Sequence, residues 1–169
     1  IDRCHINWIP GHVGINFNEV ADVDLRPKEA IRMIRHTLKH NWNRKYTEIS
    51  VNKGNFFAQI FPKIPDKPWF YKSDMLPKEV KTINRLMNGH TYDKKYLSRF
   101  GATDNDQCNL CNTVETTHHL IFECHRFDAL RAEHSFFSSY DNVLDLLKTG
   151  NLKIYGMLIN FLGDANIDI

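Results

Sequence analysis

The sequence predicts a mainly α-helical protein with one short N-terminal strand and a metal-stabilised helical module in its second half. Apolar residues recur at three- and four-residue steps in several segments, a spacing typical of amphipathic helices. Residues 5–9 show a strand-like pattern, which Pro10 and Gly11 end. Three of the four cysteines lie within residues 108–124, together with two adjacent histidines. These two segments and the helical stripes define the expected fold class.

The spacing of the cysteines and histidines predicts one tetrahedral metal site. Two residues separate Cys108 from Cys111, as in a knuckle whose two thiolates wrap one metal ion. Four residues separate His119 from Cys124, so an imidazole and a third thiolate can complete the site. Three thiolates and one imidazole suit Zn²⁺ and leave no open position for a catalytic water. We therefore predict a structural zinc site.

Two alternatives remain open for these residues. The cysteines could be ordinary buried thiols, or they could form a disulfide in a secreted protein. No signal-peptide pattern occurs at the N-terminus, and clustered cysteines with a histidine fit a metal better than a disulfide framework. We therefore expect an intracellular protein, nuclear or cytoplasmic. His118 is the alternative ligand; otherwise it is a solvated neighbour, or it donates a hydrogen bond to a ligand.

The charge of the chain is unevenly distributed. The formal net charge is only +2, but residues 26–72 carry eleven Lys/Arg against three Asp/Glu, a local +8. A basic segment of this kind favours a polyanionic partner, most simply RNA or DNA. A solvated helix face is the alternative. No apolar run approaches the ~20 residues of a membrane span, so we expect no membrane partner. The candidate nucleic-acid-binding residues are Arg32, Arg35, Lys39, Arg44 and Lys45.

The middle of the chain predicts a long helix followed by an irregular strap. Pro27 suits a first helical turn, and the helix should end near residues 52–54. Its apolar stripe consists of Ile31, Ile34, Leu38, Trp42, Tyr46 and Ile49. Prolines interrupt residues 56–71, so we expect an extended strap there, with neither helix nor sheet. Its aromatic residues should pack on neighbouring helices or stack on nucleobases; they are Phe56, Phe57, Phe61, Trp69 and Phe70.

The second half predicts a series of shorter helices. The first begins at Pro77, ends at residues 88–89 and has the stripe Val80, Ile83, Leu86 and Met87. The second covers residues 92–100, with Tyr96, Leu97 and Phe100 facing inward. Residues 119–137 should be helical with a break near Cys124, followed by helices at 143–147, capped by Asp141, and 152–162. We expect a frayed tail after Gly163. Four apolar residues should be buried around the metal: Leu110, Leu120, Ile121 and Phe122.

Two passages together resemble one family. Residues 8–22, Trp-Ile-Pro-Gly-His-Val-Gly-Ile-Asn-Phe-Asn-Glu-Val-Ala-Asp, resemble the last strand, His loop and final helix of a type-1 ribonuclease H domain. Residues 84–90, 96–100 and the knuckle ending His-Leu-Ile-Phe-Glu-Cys are similar to the region after ribonuclease H in reverse transcriptase polyproteins of arthropod non-LTR retrotransposons. The resemblance covers most of residues 8–130. It implies an incomplete ribonuclease H-like α/β end followed by the zinc-stabilised helical module.

This resemblance implies roles for three N-terminal residues. His12 corresponds to the histidine that assists product release and proton transfer, and Asp22 to the last of four acidic residues that hold two Mg²⁺ ions. Glu19 lies beside that site. The other three family carboxylates have no counterpart in this chain, so we expect it to be a piece of a larger polyprotein that is inactive alone. Magnesium is expected only in the complete family domain, with upstream reverse transcriptase and ribonuclease H segments as partners.

Three functions therefore remain open on the sequence. The chain is a reverse transcriptase/ribonuclease H fragment that binds RNA, DNA or their hybrid. Alternatively, it is a zinc-dependent module that binds nucleic acid without sequence preference, or an inactive element remnant. The expected division is a ribonuclease H end at residues 1–26, a basic helix and strap at 27–75, and a helical zinc-knuckle module at 76–163.

Overall fold

The protein is mainly helical in the part that the structure, a computed structural model, describes, which is residues 27–169. The predicted N-terminal strand and the residues His12, Glu19 and Asp22 lie outside those residues. The chain divides into two compact units, residues 1–46 and 47–169. Within the described residues no helix is both long and apolar enough to cross a membrane.

Seven α-helices follow one another along residues 27–169, with short π-helical and 3-10 turns between the fourth and the sixth. The helices are α1 (Pro27–Ser50), α2 (Asn55–Ile60), α3 (Pro77–Asn88), α4 (Lys94–Ser98), α5 (Asp128–Glu133), α6 (Val143–Lys148) and α7 (Leu152–Asp164). The turns are a π-helical turn at His119–Glu123 and 3-10 turns at His125–Phe127 and Ser135–Ser138.

The first helix begins and ends close to where the sequence predicts. Pro27 starts α1, and the N–H groups of Asn52 and Lys53 donate to the Ile49 carbonyl just after its last turn. The apolar stripe, however, is largely exposed. The exposed fractions are 49% for Ile31, 50% for Leu38, 66% for Trp42 and 58% for Ile49.

The strap prediction is wrong for its first residues. Residues 55–60 form α2, because all three prolines lie after this helix and therefore interrupt none of its hydrogen bonds. Residues 61–76 are irregular, as predicted. Phe56, Phe57, Phe61 and Trp69 pack against the core, but Phe70 is 37% exposed and meets the Trp69 ring edge-on.

The core of residues 47–169 is built around α3 and α7. Helix α3 buries Ile83, Leu86 and Met87, as its stripe predicts, and Gly89 ends it with a left-handed φ of 65°. Helix α7 contributes Tyr155, Leu158 and Phe161, which are 0% exposed, and packs on α3 and α5. Trp69 joins the two helices, since its indole N–H donates to Asn84 over 2.8 Å while its ring meets Tyr155 edge-on.

Three further predictions about the second half of the chain are wrong. Phe100 is 68% exposed rather than inward, because α4 ends at Ser98. Asn142, and not Asp141, caps α6 by accepting from the Asp145 N–H. The tail is not frayed in the structure, because the Ile167 N–H donates to the Leu162 carbonyl and Ile169 is only 5% exposed within the core.

Candidate metal centre

A tight hairpin presents the first two cysteines. Gln107 and Val114 pair across it as an isolated antiparallel bridge, and the Cys108 N–H donates to the Thr113 carbonyl over 2.8 Å. Asn112 turns the chain with a left-handed φ of 53°, and its N–H donates to the Cys108 carbonyl. Asparagine tolerates this conformation better than most residues do. The hairpin therefore holds the Cys108 and Cys111 side chains at one end.

A single wide turn presents the other two candidate ligands. Residues His119–Glu123 form a π-helical turn, and the Cys124 N–H closes it by donating to the His119 carbonyl over 2.7 Å. Cys124 itself is extended, with φ −65° and ψ 119°. Such one-turn π-helical segments often occur at functional sites. The break predicted near Cys124 is Cys124 itself, and the turn before it sets the spacing of His119 and Cys124.

The four side chains converge on one point. The Sγ atoms of Cys108 and Cys124 are 3.8 Å apart, and those of Cys111 and Cys124 are 3.9 Å apart. All four ligand atoms, including one nitrogen of His119, lie within 4.8 Å of one another. A disulfide needs an S–S separation of about 2.05 Å, whereas thiolates at ~2.3 Å from one tetrahedral metal ion lie ~3.8 Å apart. The group can therefore hold a metal ion, and its three cysteines are free thiols.

The imidazole of His119 has one supported nitrogen and one unsupported nitrogen. Its Nδ1 lies 3.4 Å from the Thr113 hydroxyl and 3.5 Å from the Glu123 carboxylate. Its Nε2 is buried and has no hydrogen-bond partner in the described part of the chain. Buried polar atoms are nearly always partnered, so Nε2 is the atom that would take a metal ion. Thr113 and Glu123 would then orient the ring from the far side.

His118 is not part of this group. Its ring stacks on Phe122 with centroids 5.5 Å apart, and its Nε2 lies 3.2 Å from a Glu123 carboxylate oxygen. The sequence-based preference for His119 over His118 therefore agrees with the geometry. Leu110 is the exception among the apolar residues expected around the site, since it is 57% exposed at the hairpin tip.

The thiols differ in their electrostatic surroundings. Burial raises the pKa of Cys108, but N–H groups of Cys111 and Leu110 donate to its sulfur and bring the pKa down to about 6. Burial, together with the neighbouring Cys108 and Cys111 thiols, raises the pKa of Cys124 to about 11. Buried sulfurs this close resist ionising together, because like charges repel strongly away from water. A bound cation would remove that repulsion.

Helix α4 braces the hairpin side of the site. Asp93 is buried, caps α4 by accepting from the Tyr96 N–H, and also accepts from the Thr117 N–H and the hydroxyls of Thr91 and Thr117. Thr117 precedes His119 by two residues, so this hydrogen-bond network holds the backbone just before His119 in place. Sequence reasoning missed Asp93 because it placed this residue inside a helix over residues 92–100, whereas the helix begins at Lys94 and an aspartate just before a helix is a capping signal.

Two cations hold the backbone around the site. Lys94 Nζ donates to the Gln107 carbonyl over 2.8 Å and to the Asn109 side chain over 2.7 Å. Arg131 of α5 donates to the carbonyls of Cys124, over 2.6 Å, and Ile121, over 3.3 Å, and pairs with Asp128. Sequence reasoning missed both, because no local pattern indicates that a cation meets a distant carbonyl.

The predicted nucleic-acid-binding residues all lie on α1. Arg32, Arg35, Lys39, Arg44 and Lys45 are exposed. On a helix of 3.6 residues per turn, positions 32, 35 and 39 share one face, whereas 44 and 45 point elsewhere. The first three are therefore the better candidates for one shared contact surface.

Comparisons with known proteins found no similar protein. No protein-family model, no curated protein and no solved structure matches this chain.

Proposed function

We propose that the metal is Zn²⁺, that its role is structural, and that the protein binds nucleic acid. The observation that carries the metal assignment is the convergence of three sulfurs and one imidazole nitrogen of His119, whose buried Nε2 has no hydrogen-bond partner among the described residues. Three thiolates and one imidazole are a typical closed zinc shell, in which no position remains for substrate. The residues present fit the ion, and the chemistry it would supply is crosslinking of the hairpin to the π-helical turn.

Nucleic acid is the partner that the charge of α1 supports. The helix exposes Arg32, Arg35 and Lys39 on one face, in a segment with a local charge of +8 over residues 26–72. Contacts between such cations and phosphates release counterions and read little sequence. Binding should therefore weaken steeply with salt and vary little among sequences.

A charge-matched pair of variants tests this proposal. The triple variant Arg32→Gln, Arg35→Gln, Lys39→Gln should weaken binding to fluorescein-labelled RNA, DNA and hybrid probes alike, and should flatten the salt slope. The control removes the same charge elsewhere, through Arg126→Gln, Lys148→Gln and Lys153→Gln. Equal effects of the two triples would attribute binding to net charge alone, and absence of binding to every probe at low salt would refute nucleic-acid recognition.

The wider setting is a retrotransposon reverse transcriptase polyprotein, and the motif resemblance at residues 8–22 and 84–124 supports it. In that setting His12, Glu19 and Asp22 would belong to a ribonuclease H site that holds Mg²⁺. One carboxylate from Asp22 cannot hold the metal pair, because Mg²⁺ gives up its water ligands reluctantly. The 169-residue chain should therefore not cut an RNA–DNA hybrid; metal-dependent cleavage that disappears in Asp22→Asn would contradict this.

A further inference from the structure

A second exposed surface, separate in sequence from α1, combines aromatic rings with arginines. It consists of the exposed residues His90, Tyr92, Arg99 and Phe100 and the half-buried residues Arg85 and Tyr96, and we refer to it as the aromatic–arginine surface. Phe100 is 68% and Tyr92 43% exposed, and contiguous exposed patches of this kind can mark interaction sites. None of these residues belongs to the candidate metal centre.

Hydrogen bonds and ring contacts connect the six residues into one continuous strip. The guanidinium of Arg85 lies 3.8 Å from the centre of the Tyr92 ring and donates to its hydroxyl over 2.7 Å. Arg85 Nε also donates to the His90 carbonyl over 3.0 Å. The His90 and Tyr96 rings are 5.5 Å apart, and the Tyr96 and Phe100 rings are 5.1 Å apart. Arg99 lies 6.0 Å from the centre of the Tyr96 ring.

The charge around this strip favours a polyanion. Residues 77–101 contain six Lys/Arg and two carboxylates, a local net charge of +4. Both carboxylates already accept hydrogen bonds from the protein: Glu79 from the Leu76 N–H, and the buried Asp93 from four donors described above. Arg85 has five N–H donors, and its bonds to Tyr92 and His90 use two of them. The strip can therefore offer both aromatic faces and donors for phosphate.

Two open cavities border parts of the strip. A cavity of about 330 Å³ has Lys81, Asn84, Arg85 and His90 among its lining residues. A second of about 320 Å³ includes Lys95, Tyr96 and Arg99 among its lining residues. Cations therefore line both cavities, next to aromatic rings of the strip.

We propose that the aromatic–arginine surface binds single-stranded nucleic acid, with bases stacked on Phe100, Tyr96 and Tyr92 and phosphates held by Arg85 and Arg99. Aromatic rings stack on bases of any sequence, but only on bases that are not already stacked within a duplex. The surface would thus add a preference for single strands to the nucleic-acid binding proposed above, on which this inference rests. The cations on the basic face of α1 would contact phosphates and would add no such preference.

The test compares an oligothymidylate of about 15 nucleotides with a duplex of similar length, by fluorescence anisotropy. Phe100→Ala and Tyr92→Ala should each weaken single-strand binding by about 5- to 100-fold and leave duplex binding within about twofold. Phe100→Tyr keeps a stacking ring and should bind as the unaltered protein does. Leu110→Ala removes an equally exposed apolar side chain from the hairpin tip and serves as the matched control.

Crosslinking locates the contact independently of affinity. Oligonucleotides carrying 5-iodouracil should crosslink to the peptide that contains residues 92–100. Unchanged single-strand affinity in both alanine variants, an equal loss in Leu110→Ala, or equal losses for single strand and duplex would each overturn this inference while binding itself persists. Binding of neither probe by the unaltered protein would instead refute the proposed function.

Discussion

Helices α1 and α3 have similar sequence patterns, but the apolar stripe of α3 is buried and that of α1 is largely exposed. Each begins at a proline and repeats apolar residues at three- and four-residue steps. In α3 the residues Ile83, Leu86 and Met87 are at most 2% exposed, whereas in α1 Leu38 and Trp42 are 50% and 66% exposed. Hydrophobic periodicity therefore predicts a helix in both cases, but it does not predict burial.

What distinguishes the two helices is what packs against them. Helix α3 contacts α2 and α7, and its buried residues share one core with Cys108, Leu120, Ile121 and Cys124 of the candidate metal centre. The candidate metal centre thus contributes to the core against which α3 packs. A bound ion that holds this part of the core is expected to stabilise α3 far more than α1.

The largest expected effect is the loss of the metal. Structural zinc in small modules contributes roughly 10–16 kcal/mol of apparent binding free energy at neutral pH, so strong chelation should unfold residues 77–164. Hydrogen exchange followed by mass spectrometry should show protection lost across α3 and α7 and little change across α1. Cys111→Ser should act in the same way, while Cys4→Ser should not. A melting curve that is unchanged by metal removal would contradict the structural role.

Truncation of one side chain in each stripe comes next in size. Ile83→Ala leaves a cavity in the core and should lower the free energy of unfolding by about 2–5 kcal/mol. Leu38→Ala on the exposed stripe should change it by no more than ~0.5 kcal/mol. Denaturant titrations of both variants measure the difference. Equal losses would mean that the α1 stripe is buried in solution after all.

Alkaline pH tests the burial of the helix that covers α3. Burial raises the pKa of Tyr155 on α7 to about 12. The folded state therefore favours the neutral phenol, and roughly 2–3 kcal/mol of stability present below pH ~10 should be lost as the pH rises to ~12. Tyr155→Phe should remove this alkaline loss, and Tyr71→Phe, whose ring is 48% exposed, should not. An identical loss of stability at alkaline pH in the unaltered protein and in both variants would contradict the burial of Tyr155.

The smallest expected effect concerns two glycines of the α3–α7 pair. Gly89 ends α3 with φ 65°, so Gly89→Ala should cost about 1–2 kcal/mol although open space surrounds the position. Gly156 lies inside α7, where an added Cβ meets nothing within 4 Å. Gly156→Ala should therefore stabilise the protein by about 0.5–1 kcal/mol. Thermal unfolding of the two variants should move in opposite directions; movement in the same direction would contradict the helix assignment.

Local chemistry made part of this structure predictable. All four candidate ligands follow from spacing, because the two pairs are each close in sequence and each pair lies on one turn. Pro77 and Gly89 mark the ends of α3 for a similarly local reason. The burial of Ile169, the exposure of Phe100 and the brace made by Arg131 were not predictable, because they depend on segments far away in the chain.

X-ray absorption at the zinc edge, on the purified full chain, tests the central claim most directly. We expect one Zn²⁺ per chain, surrounded by three sulfurs at ~2.3 Å and one nitrogen at ~2.0–2.1 Å. His119→Ala should remove the nitrogen ligand, and His118→Ala should leave the spectrum unchanged. A chain that binds no zinc, or a spectrum dominated by oxygen ligands, would contradict the assignment of Cys108, Cys111, His119 and Cys124 as a structural zinc site.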